Sequence, residues 1–461
     1  MKDGLIDTIA AIATSPGEAG IGIVRISGKD AFSVADKIFV SRDKTRPSDF
    51  KTYTLHYGWI IHPVDKRIID EVLLGVMRSP KSYTREDVVE INCHGGIVAM
   101  RSALELVLEN GCRLADPGEF TKRAFLNGRI DLSQAEAVLD IIRAKTDTAL
   151  KLGSEQLRGV LSSHLKKIRT IILDQLAVLE VNIDFPEEEI GPADLKAIRK
   201  KLEEADSFLR ELLEGASQGR IMREGISVVI CGKPNVGKSS LLNALLRQER
   251  SIVTAVAGTT RDTIEEVIDI KGIPIRIVDT AGILEPRDLV EKKAIQRTKR
   301  YIDLADLVIV LFDGSKPLSA DDQLLIKRVK NKVSLAVINK NDLRQKIKEN
   351  LISNNFKHTI SISAKKMRNI DLLEDVVAEL VYNGHFSPAD SILVSNIRHI
   401  EKIKKTQKLI AESLDLLDNR VSIEFIVQNI KDATGYLDDI LGRRFSEDLL
   451  DRIFSRFCIG K

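Results

Sequence analysis

The stretch Gly232-Lys233-Pro234-Asn235-Val236-Gly237-Lys238-Ser239 decides the fold of this chain. It reads G-x-x-x-x-G-K-S. An apolar run from Ile226 to Cys231 leads into it, and an apolar-periodic run from Leu241 to Leu246 follows. That strand–loop–helix setting is what a phosphate-cradling loop needs. Its glycines let backbone N–H groups close around anionic oxygens, at a helix N-terminus that already favours negative charge. Lys238 is expected to reach the outer phosphates and the Ser239 hydroxyl to bind Mg²⁺. Asn235, Val236, Gly237 and Ser240 complete the expected nucleotide cradle. Such a loop belongs on a doubly wound parallel sheet.

Three further pieces follow in working order. Ile275 to Val278 is β-prone and runs into Asp279-Thr280-Ala281-Gly282, where the Asp can hold the Mg²⁺ shell and the Gly N–H can meet a γ-phosphate. Leu335 to Ile338 ends in Asn339-Lys340-Asn341-Asp342. A carboxylate at Asp342 can accept both donors of a guanine edge, whereas adenine would leave buried groups unpaired. Ile360 to Ile362 ends in Ser363-Ala364-Lys365, a loop suited to packing against the base. Each piece alone could be an ordinary polar turn. Four in order, each after a strand, point to GTP binding and hydrolysis.

The 461 residues suggest about three domains. Apolar runs such as Leu307 to Phe312 are too short to cross a bilayer. Met1-Lys2-Asp3-Gly4 opens no secretory leader. Cys93, Cys112, Cys231 and Cys458 stand singly, which argues against a zinc site or a disulfide framework and suits a reducing cytoplasm. The net charge of +3 is too small to imply nucleic acid by itself, so any RNA contact must come from a local patch.

Residues 1–125 read as an α/β domain. Its β-prone runs are Thr8 to Ala13, Gly22 to Ile26, Thr52 to Ile61 and Val88 to Ile91, with helical patterns at Asp30 to Phe39 and Ile97 to Glu109. Residues 126–222 read as a first helical part, including Leu132 to Ala144, Leu157 to Leu179 and Asp194 to Leu213. Residues 223–382 hold the nucleotide-binding domain, and 383–461 resume the helices. The expected fold class is α/β plus α: a helical domain interrupted by an inserted α/β domain, because a P-loop sheet needs helices on both its own faces. Three basic clusters sit on the helices: Lys166-Lys167-Arg169, Arg199-Lys200-Lys201 and Lys402-Lys404-Lys405-Lys408. Each is expected to be a solvated face, with RNA contact the competing reading.

One position is unusual for a GTPase. The residue after D-x-x-G, often a water-orienting Gln, is Ile283, which can orient nothing. Glu285, Asp288 and Glu291 follow, and the residues alone do not choose among them. A second segment, Ala257-Gly258-Thr259-Thr260-Arg261-Asp262, offers a Thr to the Mg²⁺ shell. With Asn235 and the stretch from Ile252 to Val256, it offers oxygens beside the phosphates. A monovalent cation there could replace an arginine finger, while Asn235 alone also suits tight loop geometry.

The whole chain resembles the MnmE (TrmE) family of tRNA-modification GTPases. The resemblance is carried by Asp7 to Thr14, Gly22 to Gly28, Ser82-Tyr83-Thr84-Arg85-Glu86-Asp87, His94-Gly95-Gly96, Pro117 to Gly128, the inserted GTPase with its G-T-T-R-D, and the end Phe457-Cys458-Ile459-Gly460-Lys461. It implies an N-terminal folate-binding-like domain that forms the homodimer, and a helical domain built from the middle and the end. It also implies a cytoplasmic heterotetramer with the flavoprotein MnmG. Together the two proteins would modify the wobble uridine of certain tRNAs at ring carbon five, adding a carboxymethylaminomethyl-type group from a tetrahydrofolate one-carbon unit. By the same resemblance Asn235, Thr254, Val256 (through its carbonyl) and Thr259 match potassium ligands. Ser239 and Thr260 match magnesium ligands. Glu291 matches the glutamate that positions the hydrolytic water, and Arg25, Glu90, Arg129 and Lys461 match contacts to formyl-tetrahydrofolate. A carboxylate suits a pterin edge, and Arg or Lys suits a glutamate tail. One departure is Arg85, where Y-T-G-E-D is the usual motif. Cys458 is a candidate nucleophile, though a lone Cys is more often a small hydrophobe. The competing function is a GTPase switch in ribosome assembly or signalling without folate chemistry. A third is a scaffold for a partner that does all the chemistry.

Overall fold

The computed structural model describes residues 7–15, 17–184, 192–248, 265–278, 301–382, 393–419 and 421–461. The chain divides into two compact units. The first comprises Met1–Leu139, Gln156–Leu165 and Leu437–Lys461; the second comprises Asp140–Glu155 and Lys166–Tyr436. No helix among the described residues is long and apolar enough to cross a membrane.

In chain order the first elements are β1 (Ile9–Ile12), β2 (Ala19–Ser27), α1 (Ala31–Ile38), β3 (Phe39–Ser41), β4 (Thr54–Ile61), β5 (Ile68–Met77), β6 (Val88–Gly95), α2 (Ile97–Glu109), β7 (Arg113–Leu114) and α3 (Glu119–Leu126). Helices α4 (Leu132–Arg143), α5 (Asp147–Leu157), α6 (Val160–Asp184), α7 (Pro192–Glu214) and α8 (Ala216–Glu224) follow. The next stretch holds β8 (Ile226–Cys231), α9 (Lys238–Gln248), β9 (Glu265–Ile270), β10 (Ile273–Val278), β11 (Leu307–Asp313), α10 (Ala320–Val329), β12 (Ser334–Asn339), α11 (Asn350–Ser353), β13 (Thr359–Ser361) and α12 (Ile370–Tyr382). Helices α13 (Ile397–Asp418), α14 (Ile423–Leu441) and α15 (Glu447–Phe454) close the chain.

In the first unit the strands form one sheet in the order β3-β4-β5-β6-β2-β1-β7. One face buries Val24 and Ile26 of β2 and Val89 and Ile91 of β6 beneath α1 and α2. Period-two alternation then sends Arg25 and Glu90 to the opposite face. These two are direct partners across the antiparallel pair β2·β6. On that opposite face Ile9 and Ala11 of β1 pack with Phe120 of α3. The β-prone runs expected for β1, β2, β4 and β6 and the helices α1 and α2 all form. Strand β5 was not expected. Its acidic pair Asp70-Glu71 breaks the alternation that would mark a strand.

In the second unit the strand order is β13-β12-β11-β8-β10-β9. All neighbours are parallel except β9, which pairs antiparallel with β10. Alternate residues of each strand feed two cores. Val228 and Ile230 of β8 pack with Leu241 of α9 and Leu373 of α12. Val229, Val310 and Ile338 pack with Ile326 and Val329 of α10. A sheet buried on both faces explains why these strands read as continuous apolar runs. The helix expected from Leu157 to Leu179 begins instead at Val160, because Gly159 takes a left-handed φ of 85° and separates α5 from α6.

Candidate functional site

The strands flanking β8 run to opposite sides of it, β11 one way and β10 the other. A doubly wound sheet binds ligands at such a reversal, beyond the carboxyl ends of the strands. The loop after Cys231 lies there. So do the ends of β11 at Asp313, of β12 at Asn339 and of β13 at Ser361.

The loop's geometry follows from its residues. Asn235 takes a φ of 64° and Gly237 one of 104°. A Cβ on Gly237 would lie 2.2 Å from Asn339 Nδ2, so backbone strain and crowding both require glycine. Among the described residues no backbone N–H of Lys233, Asn235, Val236 or Gly237 donates a hydrogen bond, which leaves that row of donors for phosphate oxygens. Lys238 Nζ donates to the carbonyls of Gly232 (3.0 Å) and Lys233 (2.9 Å), folded back along the loop it would neutralise. Ser239 and Ser240 are exposed in the first turn of α9, where a hydroxyl can reach a metal beside the phosphates. The residues present therefore fit a nucleoside triphosphate with Mg²⁺.

The N-K-x-D segment braces this loop. Buried Asn339 donates from Nδ2 to the Val236 carbonyl (2.9 Å), and its Oδ1 accepts from the Ala364 N–H (3.0 Å). One amide thus joins the phosphate loop to the S-A-K loop. Lys340 Nζ donates to the Asn235 carbonyl (2.8 Å) and pairs with Asp313 (2.7 Å). Burial would raise the Asp313 pKa, but Lys340 and Ser315 outweigh it and hold the carboxyl below its ordinary value. Asp313 was missed from sequence; its signal is a lone carboxylate closing the apolar run that forms β11. Asp342 keeps a half-buried carboxylate whose Oδ1 accepts from the buried Ser363 hydroxyl at 2.6 Å. That bond first, with Lys366 and Arg368 nearby, lowers its pKa, so it is ionised at neutral pH. Ser363, Ala364 and Lys365 sit beside it, with Ala364 buried and Lys365 exposed.

Of the other expected nucleotide and metal residues, Thr254, Val256, Thr259, Thr260, Asp279, Thr280, Ala281, Gly282 and Glu291 lie outside the described residues, as does Ile283. Strand β10 ends at Val278, immediately before Asp279.

In the first unit Arg25 Nε and Glu90 Oε1 form an ion pair at 2.7 Å. Arg25 Nη1 also donates to the Gly460 carbonyl at 3.2 Å, and the guanidinium lies 5.6 Å from the Phe120 ring centroid. The Phe120 N–H donates to the Lys461 carbonyl (3.1 Å) and the Gly118 N–H to the Cys458 carbonyl (3.4 Å). The chain end is therefore seated beside Arg25. Arg129 stacks over the Tyr83 ring at 4.7 Å, and both line a cavity of about 470 Å³ with Met77, Ser82 and Arg85. The Tyr83 hydroxyl bonds to Thr121, and burial, partly offset by the charges of Arg129 and Arg25, raises its pKa. Tyr83 is a second residue missed as a site member, though it lies in a quoted motif. Glu90 Oε2 keeps no described partner, so the carboxylate retains an acceptor for a ring N–H. This donor set fits a reduced folate. Cys458 is a free, exposed thiol.

A family model described as "GTP-binding protein TrmE N-terminus" matches residues 8–129, and one described as "MnmE helical domain" matches residues 132–458. A protein named tRNA modification GTPase MnmE from Alkaliphilus oremlandii is 48% identical over 459 residues, covering 99% of each chain. Proteins of the same name from Carboxydothermus hydrogenoformans and Clostridioides difficile are each 46% identical, again over 99% of both chains.

Proposed function

The chain belongs to the MnmE family of tRNA modification GTPases, and from that premise we propose its finer activity: a potassium-activated GTP hydrolase that, with the flavoprotein MnmG, modifies the wobble uridine of certain tRNAs at ring carbon five. The group added is carboxymethylaminomethyl-type, and a formyl-tetrahydrofolate or related reduced folate supplies the one-carbon unit. The working form is a cytoplasmic heterotetramer built on a homodimer.

In this reading Lys238 and the backbone of residues 235–237 hold the β- and γ-phosphates, and Asp342 selects guanine. Ser239 and Thr260 bind Mg²⁺, which neutralises charge across the phosphates. Glu291 orients water where Ile283 cannot. Asn235, Thr254, the Val256 carbonyl and Thr259 hold K⁺, which supplies the charge of an arginine finger. On the other unit Arg25 orients Glu90 toward the folate ring, while Arg129 and Lys461 meet anionic groups of the tail.

The observation that carries the folate half is the meeting of Arg25, Glu90 and the Gly460 carbonyl, residues 65 and 435 positions apart. A nucleotide switch has no need of such a site. Titration with formyl-tetrahydrofolate tests it: Glu90→Ala and Arg25→Ala should bind weakly and hydrolyse GTP normally. Wild-type-like folate binding by both variants would sink the assignment, and no binding by the unaltered chain would favour a switch without folate chemistry. The cation half is read by GTP hydrolysis in matched potassium and sodium buffers. The rate should be much greater in potassium, and Asn235→Ala should lose that response while keeping most nucleotide affinity. Equal rates in both salts would return Asn235 to loop geometry.

A further inference from the structure

Lys81 and Arg85, on the segment between β5 and β6, have no part in the folate site described above. Both line the open cavity of about 470 Å³ that also holds Arg129, from the turn after α3. Tyr53, Met77 and Tyr83 give it apolar wall, and no carboxylate is among its lining residues. Arg85 is held close to Arg129. Its Nη1 donates to the Asn127 carbonyl at 3.0 Å, and a Cβ on Gly128 would lie 3.6 Å from that same nitrogen. Arg129 stacks over the ring of Tyr83, two residues along from Lys81. Among the described residues none of the three cations makes an ion pair. The acids near them in the chain are turned to other partners: Glu86 to buried Arg123 (3.2 Å) and the Ser27 hydroxyl, Asp87 to the Ser79 N–H (2.8 Å), and Asp131 to the Ser133 hydroxyl (2.8 Å). A carbonyl or a ring face orients a cation without cancelling its charge.

The cavity adjoins the end of the site that holds Glu90. Met77 lies two residues, about 7 Å, along β5 from Gly75, and Gly75 pairs directly with Glu90 across β5·β6. Tyr83 makes a second link. It packs against the cluster that contains Phe120, whose ring lies 5.6 Å from the Arg25 guanidinium, and it carries Arg129 on its own ring. A ligand whose ring system meets Glu90 and whose first glutamate meets Arg129 therefore has a cationic space to continue into.

Resting on the folate reading, we propose that Lys81 and Arg85 form a subsite for the γ-linked glutamate tail, so that the preferred ligand is a polyglutamylated reduced folate. Each added glutamate consumes one carboxylate in its amide link and brings two, a net gain of one negative charge. The tail thus presents carboxylates in succession, which suits cations spread along a cavity wall. Arg85 can hold one bidentately, and Lys81 meets the next as a point charge. The glycine usual at position 85 in the motif this chain resembles would supply no charge there, so the subsite belongs to this chain's own sequence.

The test is titration of the full chain with formyl-tetrahydrofolate in its monoglutamate and triglutamate forms. Two partly exposed ion pairs should make the triglutamate bind roughly tenfold more tightly, and the advantage should shrink as KCl rises. The double variant Lys81→Gln, Arg85→Gly should keep the monoglutamate affinity and lose the triglutamate advantage. Arg85→Gly places a residue at ease in the left-handed backbone there, so a folding defect is not expected to intrude. Lys81→Arg with Arg85→Lys should keep the advantage, because the charges remain. Equal affinity of the unaltered chain for the two forms overturns the proposal, as does an advantage that survives in the double variant. Equal loss of both forms in that variant would place Lys81 and Arg85 at the ring or the first glutamate and overturn the tail assignment. Failure of the unaltered chain to bind either form would instead overturn the folate reading beneath it.

Discussion

Asp342 shows what one residue decides. Its carboxylate is half-buried and ionised, and the Ser363 hydroxyl fixes one oxygen at 2.6 Å. Replacing it by Asn exchanges an acceptor for an amide and leaves the guanine donors half paired. Asp342→Asn should cost about 2–4 kcal/mol of GTP affinity with loss of base discrimination; a titration giving unchanged GTP affinity would count against the site. Arg85 is a different kind of residue. It takes a φ of 60°, the left-handed region that favours glycine, and its Nη1 donates to the Asn127 carbonyl at 3.0 Å. The expected Gly→Arg departure thus leaves a left-handed backbone in place, held by a hydrogen bond that glycine could not make. The strain of a non-glycine residue there is about 1–2 kcal/mol, more than an exposed hydrogen bond contributes. Arg85→Gly should therefore raise stability by about 0.5–1 kcal/mol in denaturant unfolding, and a lower midpoint would show the Asn127 bond to be the stronger term.

At the scale of elements, the start of α3 is held by ions rather than by a cap. Glu119 accepts from Arg113 (2.7 Å), Arg123 (2.9 Å) and the Asp116 N–H (2.9 Å), and Arg123 is fully buried. Burial alone would raise the Glu119 pKa, but these partners outweigh it and hold it below the ordinary 4.5. A depressed folded-state pKa contributes stability that is complete above the unfolded value and is lost as pH falls through the folded one. The first unit should therefore weaken below about pH 4.5. Glu119→Gln removes one of three carboxylates around the buried Arg123 guanidinium, leaving Asp7 and Glu86, and should cost about 1–3 kcal/mol at pH 7. It should also flatten the loss of stability between neutral and acid pH. Unfolding curves at both pH values check this, and an unaltered pH dependence would place the acid-sensitive group elsewhere. Elements also show where sequence reading falls short. Helix α2 appears with the expected ends, Ile97 and Glu109, because its apolar spacing is unbroken. Strand β5 was missed because its adjacent acids Asp70 and Glu71 fall on opposite faces and break the alternation that would mark a strand.

At the scale of the molecule, the chain end completes a site begun near the start. Deleting Gly460 and Lys461 would orphan the Phe120 N–H and remove the carbonyl that Arg25 contacts. The deletion should cost about 1–2 kcal/mol in the first unit and weaken folate binding, while GTP hydrolysis by the second unit continues. Undiminished folate affinity would make the tail a bystander. The motifs proposed to bind nucleotide were legible in the sequence, because each sits directly after an apolar strand. A parallel sheet then brings the carboxyl ends of its strands to one edge without further information. Local spacing therefore determined that this chain carries a phosphate-loop motif after one strand and the Asp342 carboxylate after another. It could not determine that Asn339 ties the phosphate loop to Ala364, or that Asp313 anchors Lys340. Nor could it determine that Tyr83 lies under Arg129, that Lys167 packs over Phe208, or that Lys405 packs over Tyr436. Those contacts join residues far apart in the chain, and only packing chooses which distant side chains meet.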